Sequence, residues 1–94
     1  MRIEWLPIAA RNRDDQLAWL EERSPRAALA AGKAIAQAVL DLAHHPRIGR
    51  PGRLAGTRGL VVGGTPYVVA YRLESEGIVI LRLLHGAQRW PDRL

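Results

Sequence analysis

Three runs of β-branched, aliphatic and aromatic residues, separated by two turn clusters, fill the stretch from Thr57 to Gly86. The turn clusters are 63–66 (GGTP) and 75–77 (SEG), in which Gly and Pro supply the backbone angles that a tight turn needs. Because apolar runs joined by short turns pair as hairpins, the pattern predicts an antiparallel meander. The predicted strands lie near 58–62, 67–73 and 78–85.

Both faces of this meander are predicted to be apolar. Centring the turns aligns Val62 with Tyr67 and Leu73 with Ile78, and side chains then alternate between the faces. One face collects Arg58, Leu60, Val62, Tyr67, Val69, Tyr71, Ile78, Ile80, Arg82 and Leu84. The other collects Gly59, Val61, Val68, Ala70, Arg72, Val79, Leu81, Leu83 and His85. A sheet with one face in water would alternate apolar and polar residues, so each face is expected to need a cover.

The first half of the chain predicts a short strand and two helices. Residues 2–6 alternate as an edge strand, and 8–23 has the composition of a helix with one apolar side. Ser24-Pro25 predicts the start of a second helix, because Ser caps free amides and Pro fits the first helical position, and Pro46 ends it. The expected fold class is α+β in the order β-α-α-β-β-β, one domain over residues 1–94, with an antiparallel sheet and a helical hairpin packed on one face.

Charge and composition narrow the possible partners. The 94 residues carry 14 Lys and Arg against nine Asp and Glu, a net charge of +5, and all the basic residues except Lys33 are Arg. Arg favours planar contacts with carboxylate or phosphate, so an acidic partner, protein or nucleic acid, is expected. Residues 46–57, rich in Pro, Gly and Arg, are predicted to form an exposed basic loop. The absence of Cys, and of any apolar run near the ~20 residues that span a bilayer, predicts a cytoplasmic protein.

Few residues suit catalysis. Ser24 and Ser75 are predicted cap and turn residues, and the adjacent His44 and His45 lack a partner at metal-ligand spacing, so no nucleophile, metal or cofactor is predicted. The remaining polar candidates cluster around two strand ends: Arg58, Arg72, Arg82, His85, Gln88 and Arg89. His85 is either a general base or a hydrogen-bonded structural residue.

Three of the remaining side chains each allow a structural and a functional interpretation. Arg72 and Arg82 are either functional cations or ion-pair partners of Glu74, Asp14 or Asp15. Trp90 either packs against the body of the protein or anchors a target. The tail after the third meander strand is predicted to be a loop that carries Trp90 back onto the body.

Four segments carry a family resemblance over nearly the whole chain. They are WLEERSPRAA at 19–28, HPRIGRPG at 45–52, GTRGLVVGGTPYVVAYRL at 56–73 and ILRLLHGAQRWP at 80–91. Together with the order strand, helix, helix and three strands, this set resembles the RelE/ParE toxin superfamily. The resemblance implies the toxin of a type II toxin-antitoxin system, encoded beside an antitoxin whose largely disordered segment wraps and neutralises it.

The resemblance favours the ParE branch over the RelE branch. RelE-like members cleave mRNA on the ribosome with a set of basic residues, and the matching positions here are Gly59, Val61, Val68 and Ala87. None of these side chains can stabilise a developing phosphorane charge. ParE-like members lack that set and are described as poisons of DNA gyrase, so gyrase inhibition by binding is the implied function.

Two alternatives stay open at this stage. The first is a RelE-like, ribosome-dependent mRNA endoribonuclease with catalytic candidates His85, Arg89, Arg58 and Arg72. The second is a decayed toxin that retains only antitoxin binding.

The resemblance also assigns surfaces. The face with Leu60, Val69 and Ile80 is expected to pack on the helices, which leaves the other face with only the short tail for shelter. Antitoxin binding is expected at Val61, Val68, Arg72, Val79, Leu81 and Leu83. Target binding is expected at Arg82, His85, Gln88, Arg89 and Trp90.

Overall fold

Both helices begin at prolines, the second at Pro25 as predicted and the first at Pro7, one residue before the predicted start. The computed structural model describes residues 1–86, Trp90 and Pro91, and places α1 at Pro7–Arg23 and α2 at Pro25–His44. The Ser24 hydroxyl accepts a hydrogen bond from the Ala27 amide at 3.1 Å, so it caps α2 at a backbone donor that the helix itself leaves free. No helix in the described part of the chain is long and apolar enough to cross a membrane.

The strands form one mixed sheet in the order β1-β5-β4-β3-β2. Their bounds are β1 Arg2–Trp5, β2 Arg50–Pro51, β3 Thr57–Val61, β4 Tyr67–Glu74 and β5 Gly77–His85. The α+β class with a helical hairpin is confirmed, but the sheet is not wholly antiparallel, because β1 pairs in parallel with β5. Parallel pairing needs a long crossover, which the intervening helices and strands supply. The two-residue strand β2 lies within the segment predicted to be a loop.

The predicted register is correct next to both turns, but it is wrong in the part of the β4–β5 pair that lies farther from the 75–77 turn. Val61 pairs with Val68 and Leu73 with Ile78, as expected from the turn centres. A β-bulge then intervenes, since Tyr71 pairs with Ile80 but Ala70 pairs with Arg82. Leu81 is the extra residue, and it shifts every later residue of β5 by one position.

The bulge exchanges the faces of four residues. Leu83 pairs with Val69 and His85 with Tyr67, so both lie on the helix side. Arg82 and Leu84 pair with Ala70 and Val68 and lie on the opposite face. The predicted faces of Arg82, Leu83, Leu84 and His85 were therefore wrong, because the alternation rule assumes an unbroken ladder.

Helix α1 covers the edge of β5 beyond the bulge. Strand β1 pairs with β5 only as far as Ile80, which leaves the later backbone groups without a strand partner. The Gln16 side chain donates to the Leu83 carbonyl at 2.9 Å, and the Leu83 amide donates to Asn12 Oδ1 at 3.3 Å. Side chains of α1 thus replace ladder bonds that a free edge would otherwise expose.

The core lies between the helices and one face of the sheet. The helices contribute Ala9, Ala31, Ile35, Ala38 and Leu42, and the sheet contributes Val62, Tyr67, Val69, Tyr71, Ile78, Ile80 and Leu83. The small residues of the helices let them approach the sheet closely, as in other close-packed interiors.

Candidate functional site

The sheet face turned away from the helices, here called the distal face, is closed on one side and open on the other. Val79, Leu81 and Leu84 of β5 are buried, although they lie outside the core between the helices and the sheet. On β3 and β4, Val61 is 67% exposed, Arg72 is exposed and Val68 is half-buried. The expectation of a face left almost without shelter was therefore wrong over β5 and is confirmed only near β3.

Trp90 covers part of the distal face, above two glycines. A Cβ atom placed on Gly59 would lie 3.1 Å from Trp90 Cζ2, and one on Gly52 would lie 2.9 Å from Trp90 Cη2. Trp90 is half-buried, so the predicted packing of Trp90 against the body is confirmed. In this structure a side chain at position 59 would meet the indole.

Three of the four nuclease candidates are described, and they do not converge. His85 lies opposite Tyr67 at one end of β4, whereas Arg58 lies opposite Tyr71 towards the other end. Arg72 lies five residues along β4 from Tyr67, about 17 Å at about 3.4 Å per residue, and on the opposite face. Arg89 lies outside the described residues.

Each described arginine candidate already has a local partner. Arg58 Nη1 donates to the carbonyl oxygens of Gly49 at 2.8 Å and Arg47 at 3.3 Å. Arg72 Nε pairs with Glu74 Oε2 at 3.1 Å, which is one of the predicted ion pairs. Arg82 Nη1 donates to the Leu81 carbonyl at 2.8 Å, and no pair between Arg82 and Asp14 or Asp15 is found among the described residues.

The predicted target-binding residues are divided between the two faces. Arg82 and Trp90 lie on the distal face, whereas His85 lies on the helix side with its ring 6.2 Å from that of Tyr67. The two rings meet edge to face, at 85°. Gln88 lies outside the described residues, as do Ala87 and Arg89.

The structure places the predicted antitoxin-binding residues in three different environments. Leu83 belongs to the core between the helices and the sheet, so its assignment to the distal face was wrong. Val79 and Leu81 do lie on the distal face but are buried. Val61, Val68 and Arg72 are the members of the set that reach solvent.

The sequence reading missed an apolar groove, here called the hairpin groove, between the two helices and the β3–β4 turn. Its volume is about 800 Å³, and its lining is mainly apolar. Helix α1 contributes Asp15, Gln16, Trp19 and Leu20, α2 contributes Ala27, Ala30, Ala31 and Ala34, and residues 63–67 with His85 close the third side. The run of alanines on α2, together with a tryptophan on α1, was the available signal.

Two aromatic residues at the groove differ in burial. Trp19 is 55% exposed, and the Arg23 guanidinium stacks 3.7 Å from its ring centroid. Tyr67 is buried, and burial raises the pKa of its hydroxyl because the phenolate would lose hydration.

No cluster of three or more potential metal-ligating side chains is present in the described part of the chain.

The helical hairpin on one face of a mixed sheet, together with the family match, defines a ParE-like member of the RelE/ParE superfamily. The chain belongs to the ParE toxin family of type II toxin-antitoxin systems, parDE, whose family model matches residues 3–90.

Individual relatives support the toxin class and the RelE/ParE superfamily. The "Putative toxin Y4kP" of Sinorhizobium fredii is 41% identical over 93 residues, which are 99% of this chain and 96% of the relative. Toxin RelE1 of Caulobacter vibrioides is 32% identical over 82 residues, 86% of this chain and 88% of the relative. A solved structure of the chromosomal ParDE toxin-antitoxin system of P. aeruginosa superimposes with a TM-score of 0.80 at 27% identity, covering 90% of this chain and 95% of that chain.

Proposed function

We propose that the protein is a non-enzymatic toxin that inhibits DNA gyrase by binding it and that a cognate antitoxin neutralises. The observation that supports this proposal is that Gly59, Val61 and Val68 lie together on the distal face. The family resemblance aligns these positions with basic residues of RelE-like ribonucleases. Stabilising a developing phosphorane charge requires cationic donors aimed at one point. The two described arginines of this face are bonded instead to Glu74, in the case of Arg72, and to the Leu81 carbonyl, in the case of Arg82.

The target surface in this proposal is the C-terminal part of the distal face. Arg82 projects from the centre of the sheet, and Trp90 lies beside β3 above Gly59. Arg and Trp are the residue types that most often anchor protein interfaces. Gln88 and Arg89, which lie between them in the sequence, complete the set, and His85 contributes from the other side of β5.

The antitoxin surface in this proposal has two parts. An amphipathic helix fits the hairpin groove, because its apolar face would cover the alanines of α2 and the exposed ring of Trp19. An extended segment fits β3, since β2 pairs only with Arg58 and Gly59 and the later residues of β3 have no strand partner on that side in the described part of the chain. Val61 and Val68 would then be buried by the partner.

Two assays on the full chain test the target. Inhibition of DNA supercoiling by purified gyrase, together with induction of the DNA-damage response in cells, is expected. Cleavage of ribosome-bound message without any effect on gyrase would replace the proposal by the ribonuclease alternative. A chain that neither inhibits gyrase nor slows growth would instead be a decayed toxin that binds only its antitoxin.

The target surface is tested by matched arginine substitutions. Arg82→Ala is expected to relieve toxicity, whereas Arg26→Ala, on the exposed side of α2, is expected to leave it unchanged. Trp90→Ala, compared with Lys33→Ala, repeats the test at the tail. Equal toxicity of all four variants would mean that the distal face does not bind the target.

The antitoxin surface is tested by two exposed alanines on the same helix. Ala30 lines the hairpin groove, and Ala36 lies six residues further along α2 and outside it. Ala30→Glu is expected to remain toxic but to escape rescue by the co-expressed antitoxin, whereas Ala36→Glu is expected to be rescued like the wild type. Full rescue of Ala30→Glu would exclude the groove as the antitoxin site.

A further inference from the structure

The net positive charge of the chain resides in one segment. Six basic and six acidic residues precede position 42, and three of each follow position 73. Between these positions lie five arginines and no Asp or Glu, so residues 42–73 alone account for the net charge of +5. Such a separation creates a local field that the total charge of the protein understates.

Four of these arginines lie along the segment that leads from α2 through β2 into β3, at one corner of the sheet. Arg50 pairs with Gly59 and Arg58 with Pro51, so these two side chains leave opposite faces of the corner. Arg47, Arg50 and Arg53 are exposed on the connection between α2 and β3, and Arg58 follows on β3. Arg47 and Arg58 line the same cavity, about 340 Å³ in volume. The fifth, Arg72, is neutralised by Glu74. None of the ion pairs found among the described residues involves the other four.

The backbone that carries these arginines is held in place. Tyr71 Oη accepts from the Gly49 amide at 3.0 Å and donates to the Pro46 carbonyl at 2.8 Å. The Arg58 guanidinium bonds the Gly49 carbonyl, and β2 pairs with β3. A charged surface on a fixed backbone loses less conformational entropy when a ligand binds.

The surroundings of the arginines favour a polyanion over a protein. The centre of a typical protein interface is apolar and has few charged residues. The segment 46–58 does not offer such a centre, because Ile48 is its one exposed large aliphatic side chain. Phosphates of a nucleic acid, by contrast, are bound by exposed Arg without an apolar centre. Single strands need aromatic side chains for base stacking, and residues 46–58 contain none, while Trp90 already packs on Gly52 and Gly59.

We propose that Arg47, Arg50, Arg53 and Arg58, here called the arginine corner, bind the phosphate backbone of double-helical DNA without reading its sequence. The choice of DNA rests on the proposed function, because gyrase holds a DNA duplex and a toxin bound to it would meet that duplex. The arginine corner thereby adds a DNA contact to the protein contacts of the distal face.

The test is the salt dependence of binding between the full chain and a short fluorescent DNA duplex. Each neutralised phosphate contributes about −0.9 to the slope of log K against log salt, so four arginines predict a slope of about −3.6. Affinity should then fall about 150-fold between about 50 and about 200 mM salt. Replacing Arg47, Arg50 and Arg53 together by Gln should reduce that loss to about threefold.

The matched control removes the same charge elsewhere. Arg11, Arg26 and Lys33 are exposed on the helices, and their joint replacement by Gln should leave the slope near the wild-type value. Equal losses in the two triple variants would overturn the arginine corner in favour of non-specific attraction. Tighter binding of single-stranded DNA, duplex RNA or polyglutamate than of the DNA duplex would overturn the proposed ligand.

Failure of this inference is distinguishable from failure of the proposed target, because DNA binding is measured without gyrase. If the chain binds DNA through these arginines but leaves supercoiling unaffected, the DNA-binding surface is supported and gyrase is rejected as the target. If the chain inhibits gyrase but shows no salt-dependent binding to the duplex, gyrase is supported as the target and the DNA-binding surface is rejected. Circular dichroism of both triple variants verifies that they are folded.

Discussion

The two faces of the sheet carry the same kind of apolar side chains but differ in how completely these side chains are buried. On the helix side, Val69, Tyr71, Ile80 and Leu83 are all buried beneath α1 and α2. On the distal face, burial is nearly complete over β5 but Val61 of β3 remains 67% exposed. An apolar sequence pattern therefore does not by itself mark a binding surface; what marks it is the part that the chain's own elements fail to cover.

The largest expected difference between the faces concerns Leu83 and Val61. Leu83→Ala should destabilise the free protein by about 2–5 kcal/mol, because it leaves a cavity in the core. Val61→Ala should change the free energy of unfolding by no more than about 0.5 kcal/mol, because that side chain is already in water. Urea denaturation of both variants measures this, and similarly small costs would mean that Leu83 is not packed in the core.

The seat of Trp90 on the distal face predicts the next effect. Gly59→Val should destabilise the protein by about 1–3 kcal/mol, because any Cβ there lies within 3.1 Å of the indole and a branched side chain needs more room. Gly63→Val is the control, since a Cβ at Gly63 meets nothing within 4 Å and its φ is not positive. If the two valines cost the same, Trp90 does not occupy the surface above Gly59.

Two tyrosines of the helix-side face should differ when each loses its hydroxyl. Tyr71→Phe removes both hydrogen bonds to residues 46–49 and leaves a buried amide unpaired, at a cost of about 1–3 kcal/mol. Tyr67→Phe should be nearly neutral at pH 7, because no hydrogen bond of its hydroxyl is found among the described residues. Thermal unfolding of the two variants distinguishes them, and a neutral Tyr71→Phe would mean that residues 46–49 are held by other contacts.

The smallest expected effect is the pH dependence that Tyr67 adds. Burial raises the pKa of Tyr67 above its ordinary value, so the unfolded chain releases this proton at lower pH than the folded protein does. The associated stability is complete below the unfolded pKa of about 10 and is lost as pH rises through the folded pKa. Unfolding measured from about pH 9 to about pH 11 should therefore show a steeper loss for the wild type than for Tyr67→Phe. Parallel curves would mean that the hydroxyl is hydrated.

Most of the fold was predictable because its signals are local. Ser24-Pro25 predicts the break between the helices, since the cap and the first helical position involve neighbouring residues. The turns at 63–66 and 75–77 predict the strand limits within about one residue and the pairing of Val61 with Val68. The family resemblance adds the toxin class, which the comparison over residues 3–90 confirms.

Less of the candidate site was predictable, because its geometry depends on residues far apart in sequence. Leu83 and His85 were placed on the wrong face, and the hairpin groove and the covering of Val79 and Leu81 were not anticipated. The roles expected of Gln88 and Arg89 fall outside the described residues and stay predictions.

By itself, the sequence determined the order of the elements, the turns and the concentration of arginine between positions 42 and 73, since each is a property of neighbouring residues. Only the tertiary structure decided which side chains face the helices. A single extra residue at Leu81 reverses the faces of the residues that follow it, and the hydrogen bonds from Asn12 and Gln16 that meet this shifted edge come from a helix about 70 residues earlier in the chain.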